Sequence, residues 1–492
     1  VNGRARMAVV TLALLCLYAI GAGAAVARML PGRLALLEVA HVAGAPPVTA
    51  PAAFPGVTGT AGGPGPAATP AGVRARLAPL VTSGALGPHV GVLVADLVTG
   101  RVLYAVNAGA AFTPASTTKL ATAVAALSVL GPSARFTTSV AAQLPAAAPG
   151  RAAGAPVIVL VGGGDPVLAA GRYPAGDYPQ PATLSALAES AARALRARGV
   201  RAVRLEYDDR LFTGPVLAPG WPAFGTATNY ITTGNVAPIV GLELDQGRLT
   251  PSGAPEDRDD PANFRPRSTT PGLDAARAFA RLLRADGIGV RGAPRAGAPP
   301  PRAARIAAVR SPPLAEIIQQ MLTESNNVIA EMLARQVALA TGRPATFAGA
   351  AAAVMAADRR LGVTGISLRD GSGLSPLDRI SPRALVRLVR LAAWSGPARL
   401  RPAITGLPVA GFSGTLGPGS FFGPFGPAAL GTVRAKTGNL TAVATMAGIA
   451  YARDGQLLAF AFMGNDLPRS LGTGPEAALA KLATALAGCG CG

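Results

Sequence analysis

Two side chains three residues apart, Ser116 and Lys119, are the first candidates for chemistry in this 492-residue chain. They lie in Phe112-Thr113-Pro114-Ala115-Ser116-Thr117-Thr118-Lys119-Leu120, a pattern that predicts the first turn of a helix. Thr113 is in reach of an N-cap role, Pro114 takes the first helical position, and Leu120, Val124 and Leu127 follow at helical spacing. Residues three apart on a helix share a face, so the two side chains can touch. A serine hydroxyl is a weak nucleophile until a base takes its proton, and a desolvated lysine can be that base because burial lowers its pKa. The outward-pointing N–H groups of a helix start suit an oxyanion. One turn therefore offers both needs of acyl transfer.

Taken alone, Ser-x-x-Lys is common and reads equally well as an exposed helix start. Composition sharpens it. Of 45 basic residues only three, at 119, 436 and 481, are lysine. Where arginine fills nearly every basic position, a lysine points to a need that arginine cannot meet, namely losing a proton. Histidine offers no rival base: only His41 and His89 exist, so a zinc His-x-x-x-His motif is absent and a Ser-His-Asp triad would rest on His89 alone. Cysteine chemistry is set aside as well, because Cys16 lies in an apolar N-terminal run and Cys489-Gly490-Cys491 in a tail whose spacing suits an unstrained bridge poorly.

Two further triplets follow. Ser325-Asn326-Asn327 stands between two helical patterns, one carrying Leu314, Ile317, Ile318, Met321 and Leu322, the other Val328, Ile329, Met332, Leu333 and Val337. By itself it reads as a turn and helix cap. Lys436-Thr437-Gly438, followed by Asn439, ends a predicted strand.

The elements that must position these groups follow from the pattern. Val90 to Asp96 and Val102 to Tyr104 form an antiparallel hairpin feeding the Ser116 helix, while Thr432 to Lys436, Ala442 to Tyr451 and Leu457 to Met463 read as three adjacent strands closed by a helix over Pro475 to Ala487. This predicts an α+β fold with an antiparallel five-stranded sheet flanked by helices. Residues 137–302 differ in texture and predict an inserted α/β region, with a strand at Val157 to Val161, helices over Thr183 to Arg198 and Gly272 to Asp286, and a strand at Ala202 to Tyr207. Its Gly162-Gly163-Gly164-Asp165-Pro166 lacks the lysine and spacing of a phosphate loop and is expected to be a structural turn.

Before the domain, Arg4 and Arg6 precede an apolar run from Met7 to Val26, long enough to cross a bilayer, with a small-x-small site at Ala25-Val26-Ala27. The expectation is a signal peptide or anchor over 1–30, then a Pro/Ala/Gly-rich linker over 31–72. The catalytic domain is expected over 73–136 and 303–488, interrupted by 137–302, with a tail at 489–492. The net charge of +20 is carried by scattered arginines, and aromatics are 5% of residues, a pattern that argues against nucleic acid and for anionic cell-envelope polymers.

Ser-x-x-Lys on a helix, Ser-x-Asn between helices and Lys-Thr-Gly on a sheet edge occur here in the order of the penicillin-recognising serine enzymes, which the chain resembles. More than two hundred residues separate Lys119 from Ser325, and with Gly163-Gly164-Asp165-Pro166, Ser325 to Glu331, Asp370-Gly371-Ser372-Gly373-Leu374-Ser375 and Gly414-Thr415-Leu416 this resembles the class C low-molecular-mass penicillin-binding proteins, D-Ala-D-Ala carboxypeptidases and endopeptidases. The resemblance implies a two-step acyl transfer on peptidoglycan stem peptides, with β-lactams as inhibitors and no metal or organic cofactor. It implies Ser116 as nucleophile, Lys119 as general base, Ser325 as proton relay, Asn327 on the substrate amide, and Lys436, Thr437 and Gly438 at the terminal carboxylate. The oxyanion would sit on the N–H groups of Ser116 and Asn439. A non-catalytic envelope binding module of the same fold, or a β-lactamase or esterase, stands as the alternative.

Overall fold

The computed structural model describes residues 67–144, 155–171, 178–222, 229–249, 266–472 and 474–492. The expected leader, Cys16, His41 and all of the linker before residue 67 lie outside them. Among the described residues, no helix is long and apolar enough to cross a membrane.

A five-stranded antiparallel sheet organises the catalytic part. Its strands are β1 (His89–Asp96), β2 (Val102–Val106), and, far along the chain, β11 (Val433–Leu440), β12 (Val443–Tyr451) and β13 (Leu457–Asn465), in the order β11-β12-β13-β1-β2. The central strands β13 and β1 are buried on both faces, and strand periodicity deals their residues to two separate cores. Val92, Val94, Phe460 and Phe462 face α1 (Pro70–Val81) and the C-terminal helix over Gly474–Ala487. Leu93, Ala95, Ala459 and Ala461 face the main helical layer. That layer is built from α2 (Lys119–Leu130), α5 (Leu314–Thr323), α6 (Asn327–Ala340), α7 (Phe347–Arg360) and α8 (Pro382–Arg390), with α3 (Leu184–Arg196) and α4 (Pro271–Ala285) in the inserted region between α2 and α5. The small alanines on this face let helices approach closely. α2 lies inside the layer with apolar residues around its circumference, as a fully buried helix must.

The inserted region forms a six-stranded mixed sheet of β3 (Thr137–Ala142), β4 (Val157–Val161), β5 (Ala202–Asp208), β6 (Gly289–Val290), β7 (Arg295–Ala296) and β8 (Ala304–Arg310). Its helices α3 (Leu184–Arg196) and α4 (Pro271–Ala285) bury Leu187, Ala191, Phe279 and Leu283 against Ile158, Leu160 and Val203. Because β8 pairs with β3, this sheet runs past the expected end at 302 to Arg310. The two chain crossings are fastened at one point: Phe136 N–H donates to Ser311 Oγ at 2.9 Å, and Ser311 N–H donates to the Phe136 carbonyl at 2.9 Å.

The tail corrects the sequence reading. Cys489 and Cys491 are joined by a disulfide, with Cα atoms 5.1 Å apart, and both are buried in the core beneath α1. Spacing in sequence left out what packing supplies. The carbonyl of Cys491 accepts from Thr69 N–H at 2.9 Å and Thr69 Oγ1 at 3.0 Å, and Thr69 caps α1, so the packed part reaches at least to Ala68, ahead of the expected residue 73.

Candidate active site

The nucleophile's turn is tighter than the α-helical start expected. Ala115–Thr118 form a 3-10 turn and the α-helix begins at Lys119. Thr113 is no cap: its hydroxyl oxygen accepts from Arg379 Nη1 at 2.9 Å. Ala115, fully buried, has φ 48°, a left-handed conformation unfavourable for a residue with a side chain. The surrounding packing holds it there, beside the serine.

Lys119 is wholly buried. Its Nζ lies 2.9 Å from Ser116 Oγ, 2.7 Å from Asn327 Oδ1 and 2.9 Å from the Ser372 carbonyl. Burial lowers its pKa to about 7, against the pull of the Asp370 and Glu331 carboxylates, which raise it. A neutral amine has two N–H groups and one lone pair. Two fixed acceptors, Asn327 and the Ser372 carbonyl, can take the N–H groups, leaving the lone pair for the Ser116 O–H. The arrangement can deprotonate the serine.

Asn327 opens α6, whose cap is Asn326: its Oδ1 accepts from Ile329 N–H at 3.1 Å. The triplet is thus both the helix cap and a part of the site. Ser325 stands at φ 58° between α5 and α6 and lines the cleft with Ser116 and Asn327, but makes no hydrogen bond to either lysine. Thr437 and Asn439 line the opposite wall. Gly438 explains how closely β11 approaches: a Cβ there would stand 2.7 Å from the Pro114 carbonyl oxygen and 3.0 Å from Ser116 N. Asn439 uses its side-chain amide to bond Glu476. Thr437 Oγ1 shares a hydrogen bond with Thr415 Oγ1 at 2.8 Å. Lys436 differs from expectation. It is fully buried and its Nζ donates to the Thr437 carbonyl at 2.9 Å, so it backs the strand instead of reaching the cleft surface. Burial, and then the charge of Lys119, lower its pKa.

The cleft, about 330 Å³, is also lined by Tyr230, Asn235, Arg248 and Arg267. All four come from the insertion, to which the sequence reading gave no site residue. Beneath the cleft lies a set of buried carboxyls that it also missed. Glu331 accepts from the N–H groups of Gly371 and Ser372 at 3.0 and 2.7 Å, while Asp370 accepts from Gly373 and Ser375, each at 2.7 Å. β9 (Ile366–Ser367) pairs with β10 (Arg379–Ile380) to close this loop at its base. The sequence signal existed, since the stretches bearing Glu331 and Asp370 stood out as motifs without a role.

A sheet between two helical layers, with Ser-x-x-Lys heading the buried helix and Lys-Thr-Gly on the strand facing it, defines a penicillin-recognising serine enzyme. Residues 73–265 and 242–486 match the model of the D-Ala-D-Ala carboxypeptidase 3 (S13) family. The chain belongs to that family and is a class C low-molecular-mass penicillin-binding protein. It is 37% identical over 430 residues to carboxypeptidase DacB of Mycolicibacterium smegmatis, covering 85% of each chain. It is 30% identical over 441 residues to a D-alanyl-D-alanine carboxypeptidase of Actinomadura sp., covering 76% of this chain and 77% of that one. Penicillin-binding protein 4 from Haemophilus influenzae shares the fold, with a TM-score of 0.64 at 21% identity over 84% of this chain and 99% of that one.

Proposed function

We propose that Ser116 and Lys119 carry out the D-alanyl-D-alanine carboxypeptidase reaction of this family on peptidoglycan stem peptides. The observation that carries this reading is the contact of 2.9 Å between Ser116 Oγ and a fully buried Lys119 Nζ whose pKa is about 7. Lys119 takes the hydroxyl proton as Oγ attacks the carbonyl carbon between the two D-alanines. Backbone N–H groups of Ser116 and Asn439 receive the negative oxygen. The C–N bond then breaks as the proton held by Lys119 passes by way of Ser325, a hydroxyl able to accept and donate, to the departing amine, leaving Lys119 neutral. Water attacks the resulting ester and gives a proton to Lys119, which passes it to Ser116 Oγ as the ester bond breaks and Ser116 is freed. Asn327 orients the base and meets the substrate amide, while Thr437 hydrogen-bonds the terminal carboxylate with Gly438 allowing the close approach. A β-lactam would follow the first step and remain as an ester on Ser116.

Stem peptides lie outside the cytoplasmic membrane, so the apolar run over 7–26 fits an export signal or anchor. The test of the reading is D-alanine release from a peptide ending in D-Ala-D-Ala. Wild-type protein should release one equivalent per peptide and Ser116→Ala none. Equal release by both would remove Ser116 from the reaction.

A further inference from the structure

Both acceptors that orient Lys119 are themselves held by the inserted region. Asn327 could present either its oxygen or its nitrogen to the lysine, and the choice is fixed by its other end: Nδ2 donates to the Asn235 carbonyl at 2.9 Å. The second acceptor, the Ser372 carbonyl, belongs to the 370–375 loop, and the insertion grips that loop at two points. Trp221 Nε1 donates to Asp370 Oδ2 at 2.8 Å in a buried contact, and Ser375 Oγ donates to the Pro219 carbonyl at 2.7 Å. Trp221 is itself immobilised, edge-on to Phe347 with ring centroids 5.2 Å apart and to Tyr230 at 6.1 Å.

We propose that the insertion, through Pro219, Trp221 and Asn235, is a positioning device for the catalytic base, with Trp221 as its key positioning residue, acting through Asp370 and the Ser372 carbonyl on Lys119. The inference rests on Lys119 being the base. With three donors around it, Gly373 N–H, Ser375 N–H and Trp221 Nε1–H, Asp370 is the nucleus about which the loop is wound. Loss of the indole donor leaves Asp370 Oδ2 with Ser375 N–H alone, removes the insertion's hold on that carboxylate and lets the loop, with the Ser372 carbonyl, drift from Lys119. A displacement of about an ångström is enough to cost catalysis one to two powers of ten. The inserted region therefore does more than wall the cleft: it sets the direction of the lone pair.

The titratable and charged groups around Lys119 are Asp370 and Glu331 beneath it and Lys436 behind it, with Asp378 beside Asp370 and Arg335 beside Glu331. This gives a readout that a purely structural role would not move. Asp370→Asn removes a negative charge facing Lys119, so the ammonium loses its proton more easily and the acid limb of the acylation profile moves to lower pH.

The experiment measures the pH dependence of acylation by a fluorescent penicillin for wild type, Lys119→Met, Trp221→Phe and Asp370→Asn, with thermal melting of each. Phenylalanine keeps the ring and removes only the donor. Expected are a ten- to hundredfold slower acylation for Trp221→Phe with a small change in melting temperature, and an acid limb displaced to lower pH for Asp370→Asn. Wild-type acylation by folded Trp221→Phe would overturn the proposal while leaving the base assignment intact. Undiminished acylation by Lys119→Met would instead overturn the reading on which it rests. If Trp221→Phe does not fold, Ser375→Ala, which removes the loop's other bond to the insertion at the Pro219 carbonyl, takes its place: slower acylation is expected and wild-type acylation overturns the proposal.

Discussion

Lys119 can serve as a base because the protein has taken it out of water, and the same fact fixes how activity should depend on pH. Its pKa of about 7 means that the neutral, proton-accepting form grows as pH rises through that value. Acylation of Ser116 by a β-lactam should therefore rise from pH 5.5 to 8.5 with a midpoint of about 7, measured as an observed rate constant at fixed β-lactam. Lys119→Arg keeps a cation but cannot release its proton near neutrality, and should lower the rate constant by about 10²–10⁴-fold. An unchanged rate constant for that variant across the same pH range would show that the lysine serves only as a charge. The pair was legible in sequence because a lone lysine among arginines is itself chemical information. Trp221 was not, and the stretches bearing Asp370 and Glu331 stood out without their roles, since nothing local in them says that their partners are a distant loop and the lysine beyond it.

At the scale of elements, the site is an agreement between a helix start and a strand edge. Gly438 is where the two meet, and a methyl group there would press on the Pro114 carbonyl and Ser116 N–H. Gly438→Ala should push β11 away from the nucleophile's turn, lowering acylation by about a hundredfold with near-unchanged secondary structure by circular dichroism. Normal acylation by that variant would show that the strand is free to shift. The strands themselves were readable because β12 and β13 are unbroken runs of small and apolar residues, as expected of strands covered on both faces. The C-terminal disulfide was not readable, because a Cys-x-Cys pair gains its reason only when its carbonyl is seen fastening Thr69. The last strand of the inserted sheet was missed for a similar cause: five of the seven residues of Ala304–Arg310 are arginine or alanine, and its place beside β3 is a tertiary fact.

For the whole molecule, the buried carboxyls set how stability varies with pH. Burial raises the pKa of Asp165 to about 7 and those of Glu243 and Glu331 to about 8, and raises that of Asp358 well above the ordinary range. Each holds a proton in the fold that it would release when unfolded above pH ~4. Their contribution is fully present below that value and is lost as pH rises through the folded pKa values. Asp358 shows this most simply, since neither carboxyl oxygen has a hydrogen-bond partner. Asp358→Leu should raise the melting temperature, and by more at pH 8 than at pH 5. Melting curves at the two pH values check it, and a gain independent of pH would mean that Asp358 stays ionised in the fold.

The most direct measurement is the intact mass of the protein after incubation with benzylpenicillin, for wild type and for Ser116→Ala, followed over hours. A single adduct of one penicillin on the wild type, persistent over that time and missing from the variant, is the predicted result. An unmodified wild-type protein, whether the penicillin is left intact or consumed, would contradict the assignment of a β-lactam-trapped acyl-enzyme at Ser116.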